Sequence, residues 1–116
     1  MRELFWVGSS LDDVSDFPVG VKREIGHGLR QVQSGVKPDN AKIMKGFGGA
    51  GVQEIVSNDD GSTFRAVYTV ALKHGVYVLH CFQKKSVKGI KTPQPDMNAI
   101  NARLQRAKEL DAEMDR

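Results

Sequence analysis

Three stretches, Val52–Val56, Thr63–Leu72 and Val76–Lys84, are rich in β-branched, aromatic and apolar residues and are separated only by short polar turns. Each reads as a strand. Asn58-Asp59-Asp60-Gly61, inside the Ser57–Ser62 connection, has hairpin-turn chemistry, and Lys73-His74-Gly75 punctuates the next gap. Connections this short join only antiparallel neighbours, so the three strands form a meander. A sheet at the centre of the chain excludes an all-helical bundle. The rest must cover that sheet.

The flanking segments supply the cover. Glu3–Val7, ending at Gly8, reads as a first strand, and Ser9-Ser10 before Leu11-Asp12-Asp13-Val14 reads as the capped start of a short helix. A second helix is expected from about Pro18 to Gln33, because Val21, Ile25, Leu29 and Val32 share one face. Gly20, Gly26 and Gly28 either weaken that helix or mark close packing on a neighbour. Ser34-Gly35 ends it. Val36–Gly51 reads as a loop. Its Gly46-Phe47-Gly48-Gly49 cluster lacks the Gly-Lys-Ser/Thr ending of a nucleotide-binding loop. Thr92-Pro93 opens a closing helix to about Glu113, with Met97, Ile100, Leu104, Ala107 and Leu110 in one apolar stripe. The expected fold is a single α+β domain over residues 1–116, in the order β-α-α-β-β-β-α.

Composition narrows the function. With 116 residues, 40% apolar and 27% charged, the chain is an ordinary globular domain. No apolar run approaches the roughly 20 residues of a membrane span. The start, Met1-Arg2-Glu3-Leu4-Phe5-Trp6, lacks the features of a signal peptide. A lone cysteine, Cys81, allows no intrachain disulfide and fits a reducing, cytoplasmic setting with the thiol buried in its strand. One cysteine and three scattered histidines form no metal-ligand spacing. The net charge of +3 is unevenly distributed: residues 41–92 carry +5 and the remainder −2. Lys42, Lys45, Arg65, Lys73, Lys84, Lys85, Lys88 and Lys91 make up the basic block. Such a field attracts polyanions; the alternative is a solvated lysine face.

Strand alternation sorts these side chains. Val78, His80, Phe82 and Lys84 are expected on one face, with Tyr77, Leu79, Cys81, Gln83 and Lys85 on the other. Arg65 shares a face with Val67 and Thr69. An arginine in an apolar strand needs an anion. Two readings stand open: an ion pair with Glu54 on the neighbouring strand, or a phosphate held by the guanidinium fork. His80 is either a core histidine or an acid–base group. Lys84 and Lys85 sit at a strand end with Lys88 and Lys91 just beyond.

The segments Lys42-Ile43-Met44-Lys45-Gly46-Phe47, Val52-Gln53-Glu54-Ile55, Phe64-Arg65-Ala66-Val67-Tyr68 and Leu79-His80-Cys81-Phe82-Gln83-Lys84-Lys85, followed by Thr92-Pro93, closely resemble the phage-derived HigB-like branch of the RelE/ParE toxin superfamily. The likeness covers nearly the whole chain and is most specific from His80 to Pro93. It implies a compact α/β fold with helices on one side of a small antiparallel sheet. It also implies the toxin of a type II toxin–antitoxin pair, a metal-independent and cofactor-free endoribonuclease that cleaves messenger RNA on the ribosome. By that likeness Arg65 grips the phosphate, Lys85 falls where relatives carry a basic residue at the end of the last strand with Lys84 flanking it, and His80 and Glu54 are weaker acid–base candidates. Lys42, Lys45, Lys88 and Lys91 would hold RNA. The implied partners are a helix-turn-helix antitoxin, the ribosome with its message, and operator DNA through the antitoxin complex. Relatives often carry a basic residue on the first meander strand, where this chain has Gln53, Glu54 and Val56, and some carry a base-stacking tyrosine where it has Lys91-Thr92-Pro93. The ParE side of the superfamily instead inhibits DNA gyrase, and a degenerate toxin would retain only antitoxin binding.

Overall fold

The meander is present; its first and last strands run beyond the expected stretches, and its middle strand stops short, at Thr69. The computed structural model describes residues 1–85 and 91–116. Its elements are β1 (Glu3–Trp6), α1 (Ser10–Ser15), α2 (Val19–Gln33), β2 (Ala41–Ile43), β3 (Val52–Asp59), β4 (Ser62–Thr69), β5 (Gly75–Lys85) and α3 (Gln94–Glu113). β3 and β4 pair antiparallel out to Asp59 and Ser62. The turn between them is just Asp60 and Gly61, at φ 47° and 78°. Positive φ at both central residues matches the twist of the flanking strands, and Asp-Gly tolerates it best.

The mixed α/β class expected above is the one observed, with three differences of arrangement. The sheet has five strands in the order β1-β5-β4-β3-β2. β2 lies inside the stretch expected to be loop. It pairs Ala41, Lys42 and Ile43 with Ile55, Glu54 and Gln53. Three residues carry too little periodicity to read, and the strand exists because the edge of β3 recruits it. The Asn40 amide secures the junction by donating to the Val56 carbonyl at 3.0 Å. The sheet is also not wholly antiparallel, because β1 runs parallel to β5, from Glu3 opposite Gly75 to Trp6 opposite Val78. The two helices between β1 and the meander provide the long crossover that this pairing requires.

The helices cover both faces instead of one. Val14, Val21, Ile25, Leu29 and Val32 of α1 and α2 pack on Ile55, Phe64, Ala66, Tyr68, Val76, Val78 and Cys81. On the opposite face Ile100, Leu104 and Ala107 of α3 pack on Val52, Val67, Tyr77, Leu79 and Phe82. The reason is in the strands: Val76, Tyr77, Val78 and Leu79 are all fully buried. A strand that is apolar on successive residues needs cover on both sides. Cys81 is buried among the residues beneath α1 and α2. Burial, with the nearby Asp13 carboxylate, pushes its thiol up to about 12, so it is a packing residue and not a nucleophile.

The glycines of α2 separate into two kinds. A Cβ on Gly28 would lie 2.9 Å from Ile55 Cδ1, whereas one on Gly26 would meet nothing within 4 Å. Gly28 marks close helix–sheet packing and Gly26 does not. Gly26→Ala should therefore stabilise the fold by up to about 1 kcal/mol. Gly28→Ala should destabilise it by about 1–3 kcal/mol through overpacking. Urea unfolding of the two variants checks the contrast, and a shift of the same sign for both would contradict it.

Candidate functional site

The site is set by one irregularity in β5. Val67 lies opposite His80 and Tyr68 lies opposite Val78, which leaves Leu79 as the extra residue of a β-bulge. The bulge resets the alternation, which corrects the sorting expected from strict period two. Val78 joins Cys81 on the α2 side. Leu79 and Phe82 pack together on the α3 side, and His80 reaches α3. Bulges commonly re-aim a side chain in this way beside functional sites.

The α3 side of β3, β4 and β5 then carries the polar cluster. Arg65 lies opposite Phe82 on β5 and opposite Val56 on β3. Its diagonal neighbours on this face are His80 and Lys84 on one side and Glu54 on the other. Diagonal neighbours stand about 7–8 Å apart, within reach of long side chains. Lys42 lies opposite Glu54 on the edge strand and is exposed. The register therefore brings Lys42, Glu54, Arg65, His80 and Lys84 onto one face.

Arg65 and Glu54 form an ion pair through Nη1 and Oε1, with only 15% and 9% of their side chains exposed. Of the two readings open for Arg65, the carboxylate partner is present. The pair is incomplete, however: among the described residues Arg65 Nε and Glu54 Oε2 are buried without a partner. A fork that could bind an anion through two donors uses one on Glu54, and a carboxylate oxygen is left over.

His80 is 9% exposed and stacks on Phe82 with ring centroids 5.1 Å apart. Both ring nitrogens are engaged. Nε2 lies 2.7 Å from Asp96 Oδ1, and Nδ1 lies 2.9 Å from Arg103 Nη1. Asp96 sits in the first turn of α3 and Arg103 two turns further on. Neither was anticipated from sequence. The available signal was a pair of charged residues flanking the apolar stripe of a helix that has to cross β5.

The other candidates are dispersed. Lys84 is half-buried, whereas Lys45 and Lys91 are exposed on the loop before β3 and on the approach to α3. Among the described residues, none of Lys42, Lys45, Lys84 and Lys91 is in an ion pair. The Lys85 backbone pairs with Ser62 at the end of β5. Lys88 lies outside the described residues.

Comparison with protein families matches residues 12–105 to the model described as Phage derived protein Gp49-like (DUF891). The chain belongs to the Gp49-like family. That family is RelE-like and generally toxin-like. The matched stretch of this Gp49-like chain spans every strand and helix except β1 and the ends of α1 and α3. It includes Glu54, Arg65, His80, Lys84, Asp96 and Arg103. No curated protein and no solved structure matches the chain. Among the described residues no helix is long and apolar enough to cross a membrane.

Proposed function

We propose that this Gp49-like chain is a HigB-like toxin whose activity is metal-independent cleavage of messenger RNA on the ribosome. The observation that carries the reading is the Glu54–Arg65 pair, unsaturated among the described residues, on the face that also bears Lys42 and Lys84. Arg65 Nε is a buried donor awaiting an anion, and Glu54 Oε2 is a buried acceptor awaiting a proton donor. A phosphodiester with its adjacent 2′-hydroxyl supplies both.

The chemistry follows from those atoms. Glu54 Oε2 takes the proton of the 2′-hydroxyl, and the 2′-oxygen attacks the adjacent phosphorus. Arg65 holds the non-bridging oxygens as the extra negative charge develops. The bond from phosphorus to the 5′-oxygen breaks, and the Lys84 ammonium supplies the proton that this oxygen gains. The products are a 2′,3′-cyclic phosphate and a 5′-hydroxyl. His80, held between Asp96 and Arg103, borders this face. Lys42, Lys45 and Lys91 lead RNA to it through their charge. Lys85 and Lys88 follow Lys84 in sequence and add to its positive charge. A helix-turn-helix antitoxin is the expected neutralising partner, with operator DNA bound through that complex in the cytoplasm.

The test is expression in bacteria with mapping of RNA ends. Cuts within translated messages, absent in Lys84→Ala, support the reading; that substitution should lower cleavage about 10²-fold or more. Growth arrest with intact RNA and a DNA-damage response would replace it with gyrase inhibition. No growth arrest would leave a degenerate toxin that only binds its antitoxin.

A further inference from the structure

We propose that Arg103 is a positioning residue for this site, which fixes His80 as the Nε2–H tautomer so that the ring is committed to holding Asp96 and does not act as a proton shuttle. The first observation is the hydrogen-bond pattern. A guanidinium can only donate, so His80 Nδ1, at 2.9 Å from Arg103 Nη1, must accept. The ring proton then sits on Nε2 and is donated to Asp96 Oδ1 at 2.7 Å. With both nitrogens assigned, the ring has no lone pair left to take a proton from substrate.

The second observation is how much of the backbone is arranged around Arg103. Arg103 Nη1 also donates at 3.0 Å to the carbonyl of Leu79, the bulge residue that turns His80 onto this face. Arg103 Nη2 donates at 2.9 Å to Ser9 Oγ, which in turn donates at 2.7 Å to Asp13. To reach these partners the guanidinium passes over Gly8, at φ 59°. A Cβ there would lie 2.6 Å from Arg103 Nε. A bulge, a left-handed glycine and a helix side chain thus converge on one imidazole. Packing alone requires none of them, because the stripe of Ile100, Leu104 and Ala107 already joins α3 to the sheet.

The part of this inference that concerns cleavage rests on the function proposed above; the tautomer does not. The experiment therefore has two arms. Nitrogen NMR of the full-length protein, with His80 signals identified by their loss in His80→Gln, should show protonated Nε2 and unprotonated Nδ1. In Arg103→Ala, or in Arg103→Lys should the alanine variant fail to fold, the two tautomers should mix. An Nδ1–H ring in the unaltered protein, or an unchanged pattern in both variants, overturns the proposal whether or not the protein cuts RNA. The second arm is the cleavage rate of a message on ribosomes. His80→Ala leaves Asp96 without its donor and should lose about 10²-fold, as for a misplaced site group. Glutamine keeps an N–H for Asp96 near the Nε2 position without a titratable proton, so His80→Gln should lose less than about tenfold by the same argument. Arg103→Lys should lower the maximal rate and leave half-saturation unchanged. Equal loss in His80→Gln and His80→Ala would make His80 a proton carrier and sink the donor role. Absence of cleavage by the unaltered protein would remove the ribonuclease reading and leave the tautomer to be decided by NMR alone.

Discussion

Arg65→Met should cost about 3 kcal/mol or more in stability, while Glu54→Met/Arg65→Met together should cost far less. The prediction follows from the burial of the pair. Removing the guanidinium alone leaves the Glu54 carboxylate, 9% exposed, without its counter-charge. Removing both leaves two apolar side chains beside Val56, Val67 and Phe82, whose volume they can share. A double-mutant cycle by urea unfolding measures the coupling. Near-additive losses would show that the pair is effectively solvated and that its energetic role has been overstated. The cycle also serves the functional question. All three variants should fail to cleave RNA, and the stable double variant shows that the failure is chemical. Without it, lost activity in Arg65→Met could be assigned to unfolding.

The same pair shows what the sequence could and could not convey. The strands were legible because Phe64–Val70 and Val76–Phe82 carry β-formers between recognisable turns. The helices were legible because Val21, Ile25, Leu29 and Val32, and likewise Ile100, Leu104 and Ala107, recur on one face and are in fact buried. That Glu54 and Arg65 could meet was also readable, since the Asn58-Asp59-Asp60-Gly61 hairpin turn makes their strands neighbours. Three things were not. The bulge at Leu79 carries no glycine or proline to announce it, so strict alternation placed Leu79 and His80 on opposite faces. β2 is too short for periodicity. Asp96 and Arg103 meet His80 across 16 and 23 residues of chain, and no local rule gives the azimuth at which a helix crosses a sheet. The two-sided placement of the helices shares that origin: their amphipathic faces were visible, but not which side of the sheet each would take.

α3 carries Asp96 and Arg103 in its first half, and Asp111 anchors its far end to the sheet. This residue is 8% exposed. It accepts the backbone N–H groups of Lys73 at 3.0 Å and His74 at 2.8 Å, and the Tyr77 hydroxyl at 2.9 Å. The carboxylate thereby clamps the end of the helix to the β4–β5 turn. Burial alone would raise its pKa, but the two backbone donors and the tyrosine outweigh that and hold it below the usual carboxylate range. The sign of the pH dependence follows. A carboxylate with a folded pKa below its unfolded value of about 3.9 stabilises the fold fully above that value. Its contribution is lost as pH falls through the lower, folded pKa. Asp111→Ala should therefore cost about 2–3 kcal/mol at neutral pH, because three donors lose a charged acceptor in a buried place. The gap between the variant and the unaltered protein should narrow on acidification below about pH 4. Thermal melts from neutral pH to strong acid measure this. A gap that stays constant across the range would mean that the acceptor does not act through its charge. RNA cleavage well below the melting temperature should survive in Asp111→Ala, since the clamp holds the end of α3 remote from Asp96. That outcome would separate residues that secure the helix from Arg103, which we assign to the imidazole.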